Sequence, residues 1–300
     1  MTQTYRLDNI GYINRDKKIS FKFNGKKYFG YKGDTLASAL LANGIHLIGR
    51  SFKYHRPRGF FGAGVDDPYA KVQLYDGAKT EPNANATEIE LVEGLVAKSV
   101  NCWPSVLFDF GAINNLLNKF LPAGFYYKTF MWPKSFWYKV YEPIIRKTAG
   151  FGVVSLRPDP DRYEHKYEYC DVLVAGSGPS GLSSALSAAK NGARVILAED
   201  KPRFGGSLLT DEVTIGNKKG KEWADEVISQ LRSMPNVIVK KRSQVFGYYD
   251  HNMMVMCEKI KDHIENPNEF TPRQKLWYIR AKEVIISTGS IERPLTFGNN

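Results

Sequence analysis

Asp171-Val-Leu-Val-Ala175, then Gly176-Ser-Gly178-Pro179-Ser180-Gly181, then Leu182 to Lys190: this run decides how the second half of the chain folds. The first segment reads as a short apolar strand of a buried parallel sheet. Of the glycines, Gly176 permits a tight turn, Gly178 lets a pyrophosphate approach the backbone, and Gly181 lets the following helix pack close to the strand. Leu182, Ala185, Leu186 and Ala189 share one face of that helix. Its first amides and its dipole suit an anion. Asn191-Gly192 ends the helix, and Arg194 to Ala198 reads as the next strand. Glu199 and Asp200 stand at its end, about 20 residues past the glycines, where a carboxylate accepts hydrogen bonds from the adenosine ribose. The same acid repels a 2′-phosphate, which favours NAD or FAD over NADP. Strand, glycine loop, amphipathic helix, strand and acid together predict a dinucleotide-binding Rossmann unit.

Later residues extend the pattern. Glu199 to Gly206, with Lys201 beside the acids and Ser207 after the double glycine, has the E-x-x-x-x-x-G-G form of flavin-linked disulfide-reductase-like proteins. Leu231 to Lys241 predicts a helix end and a third strand around Val237-Ile-Val239. Gln244 to Asp250 is expected to return over the nucleotide. Val284-Ile-Ile-Ser287-Thr288-Gly289 resembles the turn that closes such a domain, and Glu292-Arg293-Pro294 after it is also typical. The histidines have no ligand-like spacing and read as ordinary polar residues.

The first hundred residues read differently. Ile19, Phe21 and Phe23 alternate with polar residues, Asn24-Gly25 is a hairpin turn, and Lys26 to Tyr31 is the returning strand. Asp34 or Thr35 caps a helix whose apolar face is Leu36, Ala39 and Leu40, and Asn43-Gly44 closes it. A hairpin followed by a helix opens a β-grasp domain. Ala70 to Leu74 and Thr87 to Leu91 are further strand candidates. Residues 101–165 are dense in aromatics, among them Trp103, Phe108, Phe110, Phe125-Tyr-Tyr127, Phe130-Met-Trp-Pro133 and Phe136-Trp-Tyr138. Ile113 to Phe120 and Tyr141 to Thr148 are candidate helices within an ordered connector too apolar to be a flexible linker. The expected division is 1–100, 101–165 and 166–300.

Composition adds bounds. A chain of 300 residues with 43% hydrophobic and 24% charged residues is an ordinary globular sequence. No apolar run is long enough for a membrane span, and the first residues carry no apolar signal core, so a cytoplasmic protein is expected. The net charge of +11 reads either as a solvated basic surface or as a surface for acidic partners. The basic residues are spread along the chain, which argues against a nucleic-acid module. Cys102, Cys170 and Cys257 are far apart, so neither a metal site nor a disulfide framework is expected.

Taken with Gly49-Arg-Ser-Phe-Lys-Tyr-His-Arg-Pro-Arg-Gly59 and Phe125 to Pro133, these motifs resemble the amino-terminal part of the alpha subunit of heterotetrameric sarcosine oxidases. The likeness extends over nearly the whole chain. It implies an α/β and α+β chain: a ferredoxin-like β-grasp domain, then part of a Rossmann FAD/NAD(P)-binding domain. It implies a complex with beta, gamma and delta subunits that oxidatively demethylates sarcosine, a small-molecule amine. The products are glycine, hydrogen peroxide, and formaldehyde or methylenetetrahydrofolate. FAD and FMN are carried mainly by the beta subunit, and NAD by alpha. Tetrahydrofolate is handled by a carboxyl-terminal domain outside these residues, which makes the chain look like a fragment. Carried over by position, the NAD contacts fall at Ser180, Glu199, Asp200, Lys201 and Ser207, with Val245 on the adenine side and Thr288 and Gly289 in the closing turn. Gly176, Gly178, Pro179, Gly181 and Gly206 complete the cofactor-binding set.

A [2Fe–2S] cluster of plant type needs four cysteines. The loop from Gly49 to Gly64 has none, so a cluster-free domain is expected. Arg50, Lys53, His55, Arg56 and Arg58 form a basic loop, read either as facing an anionic flavin phosphate or acidic subunit, or as solvated. No residue is expected to act as catalytic acid, base or nucleophile. Two other readings stand beside NAD: FAD as a working redox centre, as in related amine or amino-acid dehydrogenase alpha subunits, or a scaffold with a vestigial site.

Overall fold

The computed structural model describes residues 3–8, 11–121, 124 and 130–291. Two compact units divide at Pro160 and Asp161, the second ending at Ile291.

In the first unit, β1 (Asn14–Phe23) and β2 (Lys26–Lys32) form the antiparallel hairpin. Asn24 and Gly25 turn it with φ of 49° and 78°, the paired left-handed conformation that two-residue hairpins favour. Ile19, Phe21 and Phe23 alternate inward and are almost wholly buried. Helix α1 (Leu36–Ala42) starts at Thr35, whose hydroxyl accepts from Ser38 N while Ser38 Oγ accepts from Thr35 N. Its Leu36, Ala39 and Leu40 are fully buried, each leucine contributing roughly 1.5–3 kcal/mol. Arg6 straps the chain's start to the helix by gripping the buried Asp34 carboxylate at 3.0 and 2.7 Å.

Short strands β3 (Gly49–Arg50) and β4 (Pro57–Arg58) pair with each other. With β5 (Lys71–Leu74), β6 (Glu81–Asn85) and β7 (Val96–Ser99), the main sheet runs β2-β1-β7-β5-β6. The strand expected at Thr87 to Leu91 is absent. That segment instead spends its main chain on α1: Leu36 N donates to Ile89 O, Ala37 N donates to Ala86 O, and Leu91 N donates to Asp34 O. The first amides of a helix need such partners. The strand lies just earlier, at β6, where Pro82 is tolerated because β6 is an edge.

Segment 101–160 falls within the first unit. The expected helix at 113–120 breaks into α2 (Ile113–Leu116) and a 3₁₀ turn at Asn118–Phe120. Helix α3 (Glu142–Ala149) forms where expected and ends on Gly150 at φ 68°. Asn101 N and Nδ2 donate to Gly150 O and Ala149 O, closing the segment on itself. Many of its apolar side chains are exposed, Leu116, Trp132 and Tyr138 among them. The Phe125-Tyr-Tyr127 motif lies outside the described residues.

The basic loop is mostly engaged by its own chain. Arg50 Nε donates to Val106 O at 2.9 Å, Arg56 Nε donates to Asn115 Oδ1 at 2.8 Å, and Arg58 lies over the Tyr69 ring.

The second unit is built on one six-stranded sheet. Its elements are β8 (Tyr163–Ala175), α4 (Pro179–Lys190), β9 (Val195–Ala198), the short hairpin β10 (Thr214–Ile215) and β11 (Lys218–Lys219), α5 (Gly220–Ser233), β12 (Val237–Lys240), β13 (Ser243–Tyr249), β14 (Met253–Lys259) and β15 (Gln274–Ile286). The order is β12-β9-β8-β15-β14-β13. The first four strands are mutually parallel, and β14 and β13 are antiparallel additions. All four residues of β9 are buried, as a strand covered on both faces requires. Helices α4 and α5 pack through Leu182, Ala185, Val227 and Leu231 against Val174, Val195 and Leu197. The expected strand Asp171 to Ala175 is only the end of a 13-residue strand. Its outer half, Tyr163 to Tyr169, is largely exposed and mixed polar and aromatic, so the apolar criterion passes over it. No helix among the described residues is long and apolar enough to cross a membrane.

Candidate dinucleotide site

The loop forms where β8 ends. Gly176 has φ 99°, a conformation that side chains rarely adopt. A Cβ there would lie 2.2 Å from Ser287 O, because Ala175 and Ile286 pair in parallel and bring the two strand ends together. A Cβ on Gly181 would lie 2.0 Å from Gly176 O. At Gly206 it would lie 2.9 Å from Gly178 Cα. Three glycines are thus demanded by backbone contact. Gly178 differs: a Cβ there would meet nothing within 4 Å. The space beside Gly178 is open, at the N-cap of α4.

Pro179 is in the first turn of α4 and Ser180 beside it is exposed. That first turn holds no acidic residue and the N-cap makes no side-chain hydrogen bond. The helix end is therefore free of an internal anion, the arrangement that receives a phosphate.

Glu199 follows β9 and is only 6% exposed. Its Oε2 accepts from Ser177 N at 2.9 Å and from Ser177 Oγ; its Oε1 accepts from Lys201 N at 2.9 Å. Burial, and then the neighbouring Asp200, push its carboxyl above the usual carboxylate range. Asp200 is held below its usual range: burial opposes this, but the hydrogen bond with Glu199 and the Lys201 ammonium at 3.4 Å outweigh it. The double glycine reaches the loop through Gly205 N, which donates to Ser177 O at 3.0 Å. Gly206 and Ser207 begin a 3₁₀ turn there.

The structure thus gathers Gly176, Gly178, Gly181, Glu199, Lys201 and Gly206 around one loop. Val245 is not brought to it: its side chain packs with the cluster of Met254, Met256 and Trp277. The contact from β13 to the acid is Ser243 N donating to Glu199 O at 2.7 Å. In the closing turn Ser287 makes the close approach, with Thr288 Cα 3.3 Å from a Cβ placed on Gly176. Gly289 has φ 70° and open space around it. Glu292-Arg293-Pro294 lies outside the described residues. Sequence reading missed Ser177 and Ser287, both small polar residues in motif positions that no spacing rule singles out.

A parallel sheet ending in this cradle, with a buried acid at the next strand end, defines the dinucleotide-binding domain of flavoprotein-type oxidoreductases, here on a chain that also holds a ferredoxin-like domain. Residues 171–257 match the family model of FAD dependent oxidoreductases, and residues 16–102 match that of the 2Fe-2S iron-sulfur cluster binding domain. In sequence the chain is similar to the amino-terminal portion of sarcosine oxidase alpha subunits. It is 51% identical to that of Rhizobium meliloti (strain 1021) over 99% of this chain and 30% of the relative. It is 30% identical to that of Corynebacterium sp. (strain U-96) over 96% of this chain and 25% of the relative. The chain therefore spans less than a third of the length of these curated relatives. The crystal structure of L-proline dehydrogenase from P. horikoshii shares the fold, with a TM-score of 0.58 at 20% identity over 96% of this chain and 44% of that one.

The residues of the first unit do not fit an iron–sulfur cluster. Region 16–102 contains one cysteine, Cys102, and the whole chain three, short of four thiolate ligands. Burial and then Asp109 push the Cys102 thiol up, away from the thiolate a metal needs. The loop at 59–70 is instead organised by Asp67, which is 1% exposed. Its carboxylate accepts from the amides of Phe61, Gly62, Tyr69 and Ala70 at 2.7 to 2.9 Å.

Proposed function

We propose that this chain is the dinucleotide-holding part of an alpha subunit in a flavin-dependent amine oxidoreductase of the sarcosine oxidase type. The observation that carries it is the backbone cradle, closed to any Cβ at Gly176, Gly181 and Gly206 and open beside Gly178. In this reading the ADP half lies at the start of α4, with Ser180, Ser207 and the Gly178 backbone at the pyrophosphate. Glu199, aided by Asp200 and Lys201, takes the ribose. Thr288 and Gly289 are the outer contacts. The two acids repel a 2′-phosphate, which favours NAD or FAD over NADP, and the resemblance to sarcosine oxidase alpha subunits favours NAD. No side chain here serves as acid, base or nucleophile. A bound flavin supplies the hydride chemistry elsewhere in the complex.

The same proposal places the chain, in the cytoplasm, with beta, gamma and delta subunits that hold FAD and FMN. The complex demethylates sarcosine to glycine, with formaldehyde or methylenetetrahydrofolate and hydrogen peroxide. No residue of this chain is assigned to folate. A second reading, FAD in this cradle, is favoured by the match of residues 171–257 to FAD dependent oxidoreductases. Acid release of nucleotide from the purified chain, followed by mass spectrometry, separates them. NAD is expected; FAD from this chain supports the second reading, and no nucleotide overturns both.

A further inference from the structure

We infer that Ser177, which fills an unspecified position of the glycine motif, is the positioning residue that sets Glu199 for the ribose. The inference rests on the dinucleotide reading above. Ser177 is fully buried. Its amide and its hydroxyl both donate to the same carboxylate oxygen of Glu199, and its carbonyl accepts from Gly205. One serine therefore joins the phosphate loop, the acid and the double glycine, which are separated along the chain by 22 and 28 residues.

The lone pairs can be counted. A carboxylate oxygen accepts about two hydrogen bonds. Oε2 is filled by the Ser177 amide and hydroxyl, Oε1 takes Lys201 N, and the carboxyl also shares a hydrogen bond with Asp200. With this rotamer held, Oε2 is occupied by Ser177 and Oε1 is the oxygen turned to a ribose hydroxyl, a choice made by Ser177. Alanine at 177 keeps the amide and loses the hydroxyl. The acid is then held by one fewer donor on a side chain that burial already disfavours as an anion.

Charged and polar groups reach Glu199 from several elements. Asp200 and Lys201 lie beside it on its own strand end. The glycine loop contributes only Ser177, and β13 contributes Ser243 N. From β12, Lys240 contributes its carbonyl, while its ammonium is 2.9 Å from Glu258. The Ser177 hydroxyl is thus the side-chain donor favouring the ionised acid.

The test titrates the full chain with NAD across pH, in the natural form and as Ser177→Ala, Ser177→Cys and Ser177→Thr. Ser177→Ala is expected to weaken NAD binding about tenfold, the loss of one hydrogen bond to a charged group. The pH below which binding fails is expected to move up. Ser177→Thr, which keeps the hydroxyl, restores the natural profile. If the alanine chain does not fold, Ser177→Cys, a weaker donor of similar size, is expected to shift the profile in the same direction. Natural affinity and pH profile in either of the first two variants would overturn the inference. A natural chain that binds neither NAD nor FAD would instead sink the dinucleotide reading itself.

Discussion

His55 and Asp109 meet inside the first unit, ring nitrogen Nδ1 to carboxylate Oδ2 at 2.7 Å, although 54 residues separate them. The other ring nitrogen lies 2.9 Å from Thr148 O, so both nitrogens face acceptors. Asp109 Oδ1 accepts from Trp103 N and Gly111 N, and Arg50 Nε stands 3.7 Å from Oδ2. This cluster ties the basic loop to the aromatic segment. The sequence reading of His55 as an ordinary polar residue overlooks it. Asp109→Ala leaves His55 and Arg50 buried without their partner and is expected to cost about 3–5 kcal/mol. Urea unfolding measures it; a loss below 1 kcal/mol would show the cluster to be dispensable.

The glycine loop makes a sharper prediction, because its glycines fail differently. Gly181→Ala drives a methyl into Gly176 O and is expected to lower both the unfolding temperature and nucleotide retention. Gly178→Ala meets no protein atom and is expected to keep the unfolding temperature while losing the nucleotide. Thermal unfolding and nucleotide content of the two variants, measured together, decide it. Equal behaviour would mean that the space beside Gly178 is not where the phosphate lies.

Much of this was legible in the sequence. The Thr35 cap, the Asn24-Gly25 turn and the strand–glycine–helix run obey local rules of propensity and spacing, and each appears at its expected residues. What was not legible depends on distant chain. Residues 87–91 have the composition of a strand, but Ile89 O accepts from the first amide of α1 and Leu91 N donates to Asp34 O just before it, a demand that no local pattern announces. Val245 looks like an adenine contact by position, yet its pleat turns it to the methionine cluster. Ser177 matters because the ends of β8 and β9 lie side by side, and Ser287 because the register of β8 and β15 brings it to Gly176.

Asp67 organises its loop through four accepted amide hydrogen bonds. Asp67→Ala takes the acceptor from four amides, that of the buried Ala70 among them, and is expected to destabilise the first unit by about 1–3 kcal/mol. Proteolysis within 59–70 should accelerate. Elemental analysis of the natural chain is expected to find no iron; two iron atoms per chain would contradict the ligand count.

Glu199 gives a prediction in pH. Its folded carboxyl titrates above the ordinary value of 4.5, chiefly through burial. The folded chain then holds this proton to higher pH than the unfolded chain does, so the contribution to stability is complete below the ordinary carboxylate range and is lost as pH rises through the raised titration. In the nucleotide-free chain, Glu199→Gln is expected to remove that decline. Unfolding midpoints followed against pH test it, judged on slope; parallel curves for the two proteins would refute it.

The paired strands Tyr163–Ala175 and Gln274–Ile286 are also a gauge. They run in step from Gln274 opposite Tyr163 to Ile286 opposite Ala175, and the notch for Gly176 is cut by whichever residue follows Ile286. A slip of one residue in that pairing would present a different carbonyl and turn every side chain to the other face. Far from that notch, Tyr167 stacks on Tyr278, the residue opposite it, with ring centroids 4.9 Å apart, so the same alignment that shapes the anion pocket is also written in an exposed aromatic pair.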